Sequence, residues 1–248
     1  MRRGHAFGFR NDMTLEDKTV LVIGRGGGIA RAVTLAARDA GAQVVTAGRN
    51  QDKLKAAYDG EPGIVSEYVD LTDGATIEAL GDRLGQVDHI VSTASARARG
   101  KLADLDRDAV RQSFDTKVIG PLMLAKHLAP RINDGGSLTI FSGVAAAKIA
   151  VGTLAVAITN GAADVLARSL AVELAPIRVN AVSPGVIDTG AWDGLGDGKA
   201  GYFQDMTERN PARRVGTPDD VAATVLFAMT NTFVTGTTLR VDGGEPLT

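Results

Sequence analysis

The sequence predicts one doubly wound α/β domain, a parallel sheet of about seven strands with helices on both faces. Three observations carry this expectation. Short β-branched or aliphatic runs alternate with helix-period segments from end to end, which implies right-handed crossovers between parallel strands. A glycine-rich segment, Gly24-Arg25-Gly26-Gly27-Gly28-Ile29-Ala30, falls between the first strand and the first helix. The chain has 30 glycines and only 4% aromatic residues, a composition suited to a sheet packed under helices and joined by tight turns.

The elements follow in order. Thr19–Ile23 is the first strand, and the helix opened by the glycine-rich segment runs to about Asp39. Gln43–Ala47, Ile64–Val69 and Asp88–Ser92 read as strands two to four, with a helix from Thr72 or Asp73 to about Leu84. A polar loop carrying Arg97, Arg99 and Lys101 leads into a long helix, roughly Asp106 to Leu128. Strand five is Ser137–Ser142, a small-residue helix spans about Gly152 to Leu174, and strand six is Ile177–Ser183. Residues 184–216 are Gly-rich with little periodicity and are expected to form a substrate lid on a domain spanning 15–248. A helix from Pro218 to Met229 and a strand near Thr237–Val241 finish the pattern. Residues 1–14 are expected to be a disordered arm, with Met13 available as a second start site.

Charge and composition exclude several classes. A formal net charge of −2 offers no broad basic face, so neither nucleic acid nor an anionic membrane is an expected partner. No uninterrupted apolar run reaches the ~18 residues needed to cross a bilayer, and Met1-Arg2-Arg3 is not followed by an apolar signal region. The absence of cysteine rules out disulfides and thiolate metal sites and makes a reducing cytoplasm the plain expectation. No His, Asp or Glu cluster has metal-ligand spacing, so no metal is expected.

Ligands of such sheets bind at the carboxyl ends of the strands, which puts the loops after Ile23, Ala47, Ser92, Ser142 and Ser183 on one rim. There Gly24, Gly26 and Gly28 let the backbone turn tightly and approach a diphosphate. Amide N–H groups around Ile29, at the helix N-terminus, then meet its charge. NAD binders place an acid about 20 residues past this loop to hold the ribose 2′-hydroxyl. Here the region reads Thr46-Ala47-Gly48-Arg49-Asn50, with no acid, and Arg49 with Arg25 suits the 2′-phosphate of NADP(H). The competing reading makes Arg49 a solvated residue at a helix start.

At these residues the chain resembles the short-chain dehydrogenase/reductase family, from about Leu15 to Gly244. Besides the glycine loop, Val69-Asp70-Leu71 is similar to the family's adenine-contacting segment. Ser183-Pro184-Gly185-Val186-Ile187-Asp188-Thr189 is similar to its Pro-Gly loop, and the resemblance implies that Thr189 meets the nicotinamide carboxamide. The run from Ser169 to Asn180, and Thr235-Gly236 followed by Val241-Asp242-Gly243-Gly244, complete the likeness. The resemblance also implies a homo-oligomer, a tetramer or dimer joined through the two long helices.

The departures concern chemistry. The family's Asn-Asn-Ala-Gly after strand four is Ser92-Thr93-Ala94-Ser95, and its catalytic Asn, Ser, Tyr and Lys fall on Lys117, Gly143, Val156 and Asn160. A positioned general acid or base contributes about 10²–10⁴ in rate, so something must replace the Tyr for a hydride transfer to run well. Lys117 is the first candidate for a catalytic group, as a desolvated ammonium that polarises a carbonyl, with Ser142 assisting. Lys117 reads equally well as a lysine that snorkels to solvent or pairs with Asp115 or Asp73, and Ser142 as a serine bonded to backbone. Asn160 retains the ability to hold a ribose hydroxyl but carries no charge. The small-molecule substrate is otherwise undefined, although the cationic loop of Arg97, Arg99 and Lys101 permits an anionic one. Two readings follow: an NADP(H)-dependent oxidoreductase with a non-standard site, or a catalytically inactive cofactor-binding protein, a sensor or assembly subunit.

Overall fold

The computed structural model describes residues 13–248; most of the N-terminal arm expected over 1–14 lies outside them. Seven parallel strands form one sheet in the order β3-β2-β1-β4-β5-β6-β7. The strands are β1 (Thr19–Ile23), β2 (Gln43–Gly48), β3 (Ile64–Tyr68), β4 (Val87–Ser92), β5 (Ile132–Phe141), β6 (Arg178–Pro184) and β7 (Thr238–Val241). The order reverses between β1 and β4, which opens a crevice at their carboxyl ends.

Alternation along β1 shows how two layers arise from one strand. Leu21 and Ile23 face a core built with Ile77 and Leu80 of α3 (Gly74–Leu84), Leu124 and Leu128 of α5 (Gly120–Leu128), and Ala163 and Leu170 of α6 (Leu154–Glu173). Val20 and Val22 face the opposite core, with Val33 and Ala37 of α1 (Gly28–Asp39) and Val221 and Val225 of α8 (Pro218–Thr230). Among the described residues α6 alone has the length and composition of a bilayer span. Its Ala155, Ala163, Ala167 and Leu170 pack into the protein core, which accounts for its apolar character.

Strand five begins at Ile132 rather than Ser137, and three further segments differ from the sequence expectation. The long helix is not uniform: α4 (Arg107–Phe114) passes into a π-helical turn at Asp115–Ile119 before α5. Residue periodicity cannot reveal this, because one widened turn adds a single residue to a continuous helix. The segment 184–216, expected as a substrate lid, is not irregular but carries a 3₁₀ segment, Gly190–Leu195, and the helix α7, Gly198–Arg209. No α7 residue is fully buried, so its sequence lacks a clear apolar stripe. A short helix α2, Gln51–Ala57, follows β2, its N-terminus capped by Asn50 Oδ1 accepting from the Lys53 amide at 2.9 Å.

Candidate active site

The glycine loop after β1 is shaped by close approach. A Cβ at Gly24 would lie 2.2 Å from Thr93 Oγ1, and one at Gly26 would lie 2.5 Å from the Cβ of Ala57. Gly28 has φ +55° and opens α1. A Cβ on Gly28 would touch Thr189 at 3.4 Å, so the loops after β1 and β6 face each other across the crevice. Gly27 precedes α1 with no side chain capping it, which leaves the first amides of that helix for a ligand. These features fit a dinucleotide diphosphate.

Around this loop the remaining cofactor residues take separate positions. Arg25 and Arg49 are both exposed and neither forms a salt bridge among the described residues. Asp70 Oδ1 accepts from the Thr72 amide at 3.0 Å and from its hydroxyl at 2.8 Å, which fixes the carboxylate at the end of β3. Leu71 is buried beneath Gly120. Pro184 and Gly185 end β6, where the Gly185 amide donates to Val241 at 3.0 Å, and Thr189 Oγ1 caps the following 3₁₀ segment. Thr93, in place of the family's asparagine, ties β4 to β1: its amide and hydroxyl both donate to the Ile23 carbonyl, at 2.8 and 3.0 Å. Its structural role was not read from the sequence.

The four residues that the resemblance aligns with the family's catalytic set, Lys117, Gly143, Val156 and Asn160, lie around the end of β5. Lys117 sits in the π turn, only 5% exposed, and its Nζ donates to the Ser142 carbonyl at 3.0 Å. Burial, reinforced by the positive field of Arg97 and opposed by Asp164, lowers its pKa to about 7. The ammonium therefore neither snorkels to solvent nor pairs with Asp115 or Asp73. Ser142 Oγ donates to the Asn160 carbonyl at 3.1 Å, the backbone-bonded alternative for this serine, with its lone pairs left open. Asn160 Nδ2 donates to the Gly143 carbonyl at 3.2 Å, while its Oδ1 is buried with no partner. Val156 is buried beside them. Lysine and asparagine have thus traded places between the two helices, and both still reach adjacent carbonyls of one strand end.

The mouth of the crevice carries Trp192, which the sequence suggests packs a lid over the pocket, and Tyr202, which reads from the sequence as an ordinary surface residue. Trp192 Nε1 donates to the Ile187 carbonyl at 2.8 Å, its ring lies 4.9 Å from that of Tyr202, and the Arg99 guanidinium stands 5.7 Å from its centroid. Desolvation, then Arg99 and Arg25, depress the Arg97 pKa although its side chain remains open to the cleft. Lys148, expected at the surface, donates to the Glu245 carbonyl at 3.1 Å and holds the C-terminal segment near the Pro-Gly loop. Among the described residues no cluster could hold a metal ion.

A doubly wound sheet with a diphosphate cradle at its switch point defines a nucleotide-binding protein, and comparison with known proteins narrows the class. The family model described as "Enoyl-(Acyl carrier protein) reductase" matches residues 24–245. L-xylulose reductase of Mus musculus is 32% identical over 244 residues, spanning 94% of this chain and 98% of that one. A short-chain type dehydrogenase/reductase from Mycobacterium ulcerans superposes with a TM-score of 0.87 at 31% identity, covering 94% and 91% of the two chains. A small-chain dehydrogenase in complex with NADPH superposes with a TM-score of 0.79 at 29% identity, covering 94% and 100%. The chain belongs to the short-chain dehydrogenase/reductase family of NAD(P)-dependent oxidoreductases.

Proposed function

We propose that this protein is an NADP(H)-dependent oxidoreductase acting on a small carbonyl or alcohol compound through a non-standard active site, with Lys117 as the electrophile. The observation that supports the cofactor choice is the pair Arg25 and Arg49, exposed beside the glycine loop with no acid at the end of β2. A 2′-phosphate accepted by guanidinium donors gains about 1.5–3 kcal/mol from charge-assisted bonds, whereas the ribose hydroxyl of NADH gains none of it.

The nicotinamide, when bound, supplies or accepts the hydride. In this reading Asp70 would contact the adenine and Thr189 the nicotinamide, and Asn160 Oδ1, an acceptor without a donor, would take a ribose hydroxyl. Lys117, with a pKa near 7, holds and releases a proton at neutral pH. Moving its Nζ from the Ser142 carbonyl to a substrate oxygen polarises that carbonyl, with the Ser142 hydroxyl turning from the Asn160 carbonyl to donate alongside. Calorimetry is expected to show NADPH bound at least tenfold tighter than NADH, and equal affinities would overturn the reading. Against a panel of carbonyl compounds, Lys117→Ala is expected to slow NADPH consumption without weakening NADPH binding.

A second reading, a cofactor-binding sensor or assembly subunit without turnover, draws on the same site. Lys117, Val156 and Asn160 are all buried, and the Lys117 ammonium is engaged by a backbone carbonyl. Tight NADP(H) binding without turnover, and co-purification with a partner, would favour it.

The assembly we propose is a homo-oligomer, a dimer or tetramer, joined through the helices that leave Ile119, Leu122, Ile158, Val165 and Val172 exposed. The seven-residue spacing of Ile158, Val165 and Val172 puts them on one stripe of α6. The cysteine-free sequence supports a reducing, cytoplasmic setting.

A further inference from the structure

Three guanidiniums gather over the crevice with no carboxylate among the described residues to neutralise them. Arg25 rises from the cofactor loop, and Arg97 and Arg99 from the loop after β4. Like charges brought this close without acids raise one another's energy unless an anion joins them. The cofactor phosphates account for Arg25 and Arg49. They leave Arg99, over Trp192, and Arg97, close enough to Lys117 for its charge to act there.

Arg99 is held in place by the lid. Its guanidinium stands over Trp192, and Trp192 is fixed by its bond to the Ile187 carbonyl and by Tyr202. Holding a cation over an indole leaves its edge N–H groups free for an oxyanion. The arginine loop borders an apolar surface. The Gly100 amide donates to the Gly152 carbonyl at 3.1 Å, which joins the arginine loop to a segment exposing Ile149 and Val151, with Leu102 exposed nearby.

We infer that the substrate is an apolar or aromatic carbonyl compound bearing an oxyanionic group, a carboxylate or phosphate, which Arg97 and Arg99 bind while its apolar body rests on the lid aromatics. The inference rests on the oxidoreductase reading for the carbonyl and on the arginine pair for the anion. The crevice thereby takes two anions, the cofactor at Arg25 and Arg49 and the substrate at Arg97 and Arg99.

Trp192 is the protein's single tryptophan, so its fluorescence reports directly from this site. The NADP⁺-saturated protein is titrated with benzoylformate, with its methyl ester and with phenacyl phosphate, following tryptophan quenching and checking by calorimetry. Benzoylformate or phenacyl phosphate is expected to bind at least tenfold tighter than the ester, the tighter of the two identifying carboxylate or phosphate as the preferred group. Arg97→Met is expected to remove that preference at least tenfold and leave NADP⁺ affinity within twofold, with Arg97→Lys restoring part of it. Equal binding of acid and ester, no binding of either anion, or a loss of NADP⁺ affinity in Arg97→Met equal to the loss for the acid would each overturn the inference. Anion-selective binding without NADPH consumption would instead keep the anion site and defeat the oxidoreductase reading.

Discussion

Gly143 and Asn160 are packed against each other: a Cβ at Gly143 would lie 2.9 Å from Asn160 Nδ2, the same atom that donates to the Gly143 carbonyl. The two departures from the family's catalytic set are therefore one packing solution. Gly143 has φ 168°, an extended conformation open to any residue, so only the contact opposes a side chain there. Gly143→Ser is expected to destabilise the protein by about 1–3 kcal/mol through overpacking. Shortening the partner in Gly143→Ser/Asn160→Ala should recover a large part of that loss. A double-mutant cycle on denaturant unfolding measures the coupling, and strictly additive costs would refute it.

The proposed NADP(H) preference rests on Arg49. Arg49→Ser is expected to weaken NADPH binding by about 1.5–3 kcal/mol, roughly 10- to 100-fold, and to leave NADH nearly unchanged. Side-by-side titrations of wild type and variant check this, and parallel losses for both cofactors would remove the residue from the 2′-phosphate site.

Lys117 links the site to stability. Its folded pKa near 7 lies below the unfolded value of 10.5, so between those pH values the unfolded chain holds a proton that the folded chain has released. Stability is expected to rise with pH through this window and to be lowest, from this group, below pH 7. Lys117→Met removes the buried charge and should flatten that slope while stabilising the protein at pH 7. Chemical unfolding at several pH values tests both statements. Where the protonated ammonium polarises the substrate, turnover should also fall as pH rises through about 7.

His89 acts at the far end of the sheet. It is buried, its Nδ1 lies 2.9 Å from Ser137 Oγ, and burial, with Arg178 adding repulsion, lowers its pKa to about 4. The unfolded chain binds a proton near pH 6.5 that the folded one refuses until about 4, so acidification across this window should cost roughly 3 kcal/mol. A His89→Gln variant should lose less stability between pH 6.5 and 4, and an unchanged pH slope would contradict the assignment.

The exposed stripe on α6 tests the assembly. Val165→Glu places a charge on that face without entering the core, since Val165 is 52% exposed. The expected result is a shift towards monomer by light scattering with unchanged circular dichroism. An unaltered oligomer would place the contact elsewhere.

Much of the fold was legible because its signals are local. Strand composition, the alternation of Val20 and Val22 with Leu21 and Ile23, and a Gly28 that needs positive φ each appear in a few consecutive residues. The π turn at Asp115–Ile119 and the helical lid were not legible. The first depends on one hydrogen-bond register within a helix, and the second presents no buried face to leave a pattern. Of the site, the close-packed glycine loop was readable from its position after β1. The partners of Lys117, Ser142 and Asn160 were not, because each bond joins residues 17 to 25 positions apart on different elements.

By itself the sequence determined a parallel α/β sheet, a diphosphate cradle at its switch point and two arginines where an acid would hold a ribose. These follow from residue identity at fixed spacing, which the backbone must obey wherever the chain folds. Only the tertiary structure decided that Lys117 is buried against the Ser142 carbonyl, that Asn160 occupies the space above Gly143, and that Trp192 holds Arg99 at the mouth. Those relationships depend on desolvation and on contacts between distant segments, and both exist only once the helices and the lid have packed onto the sheet.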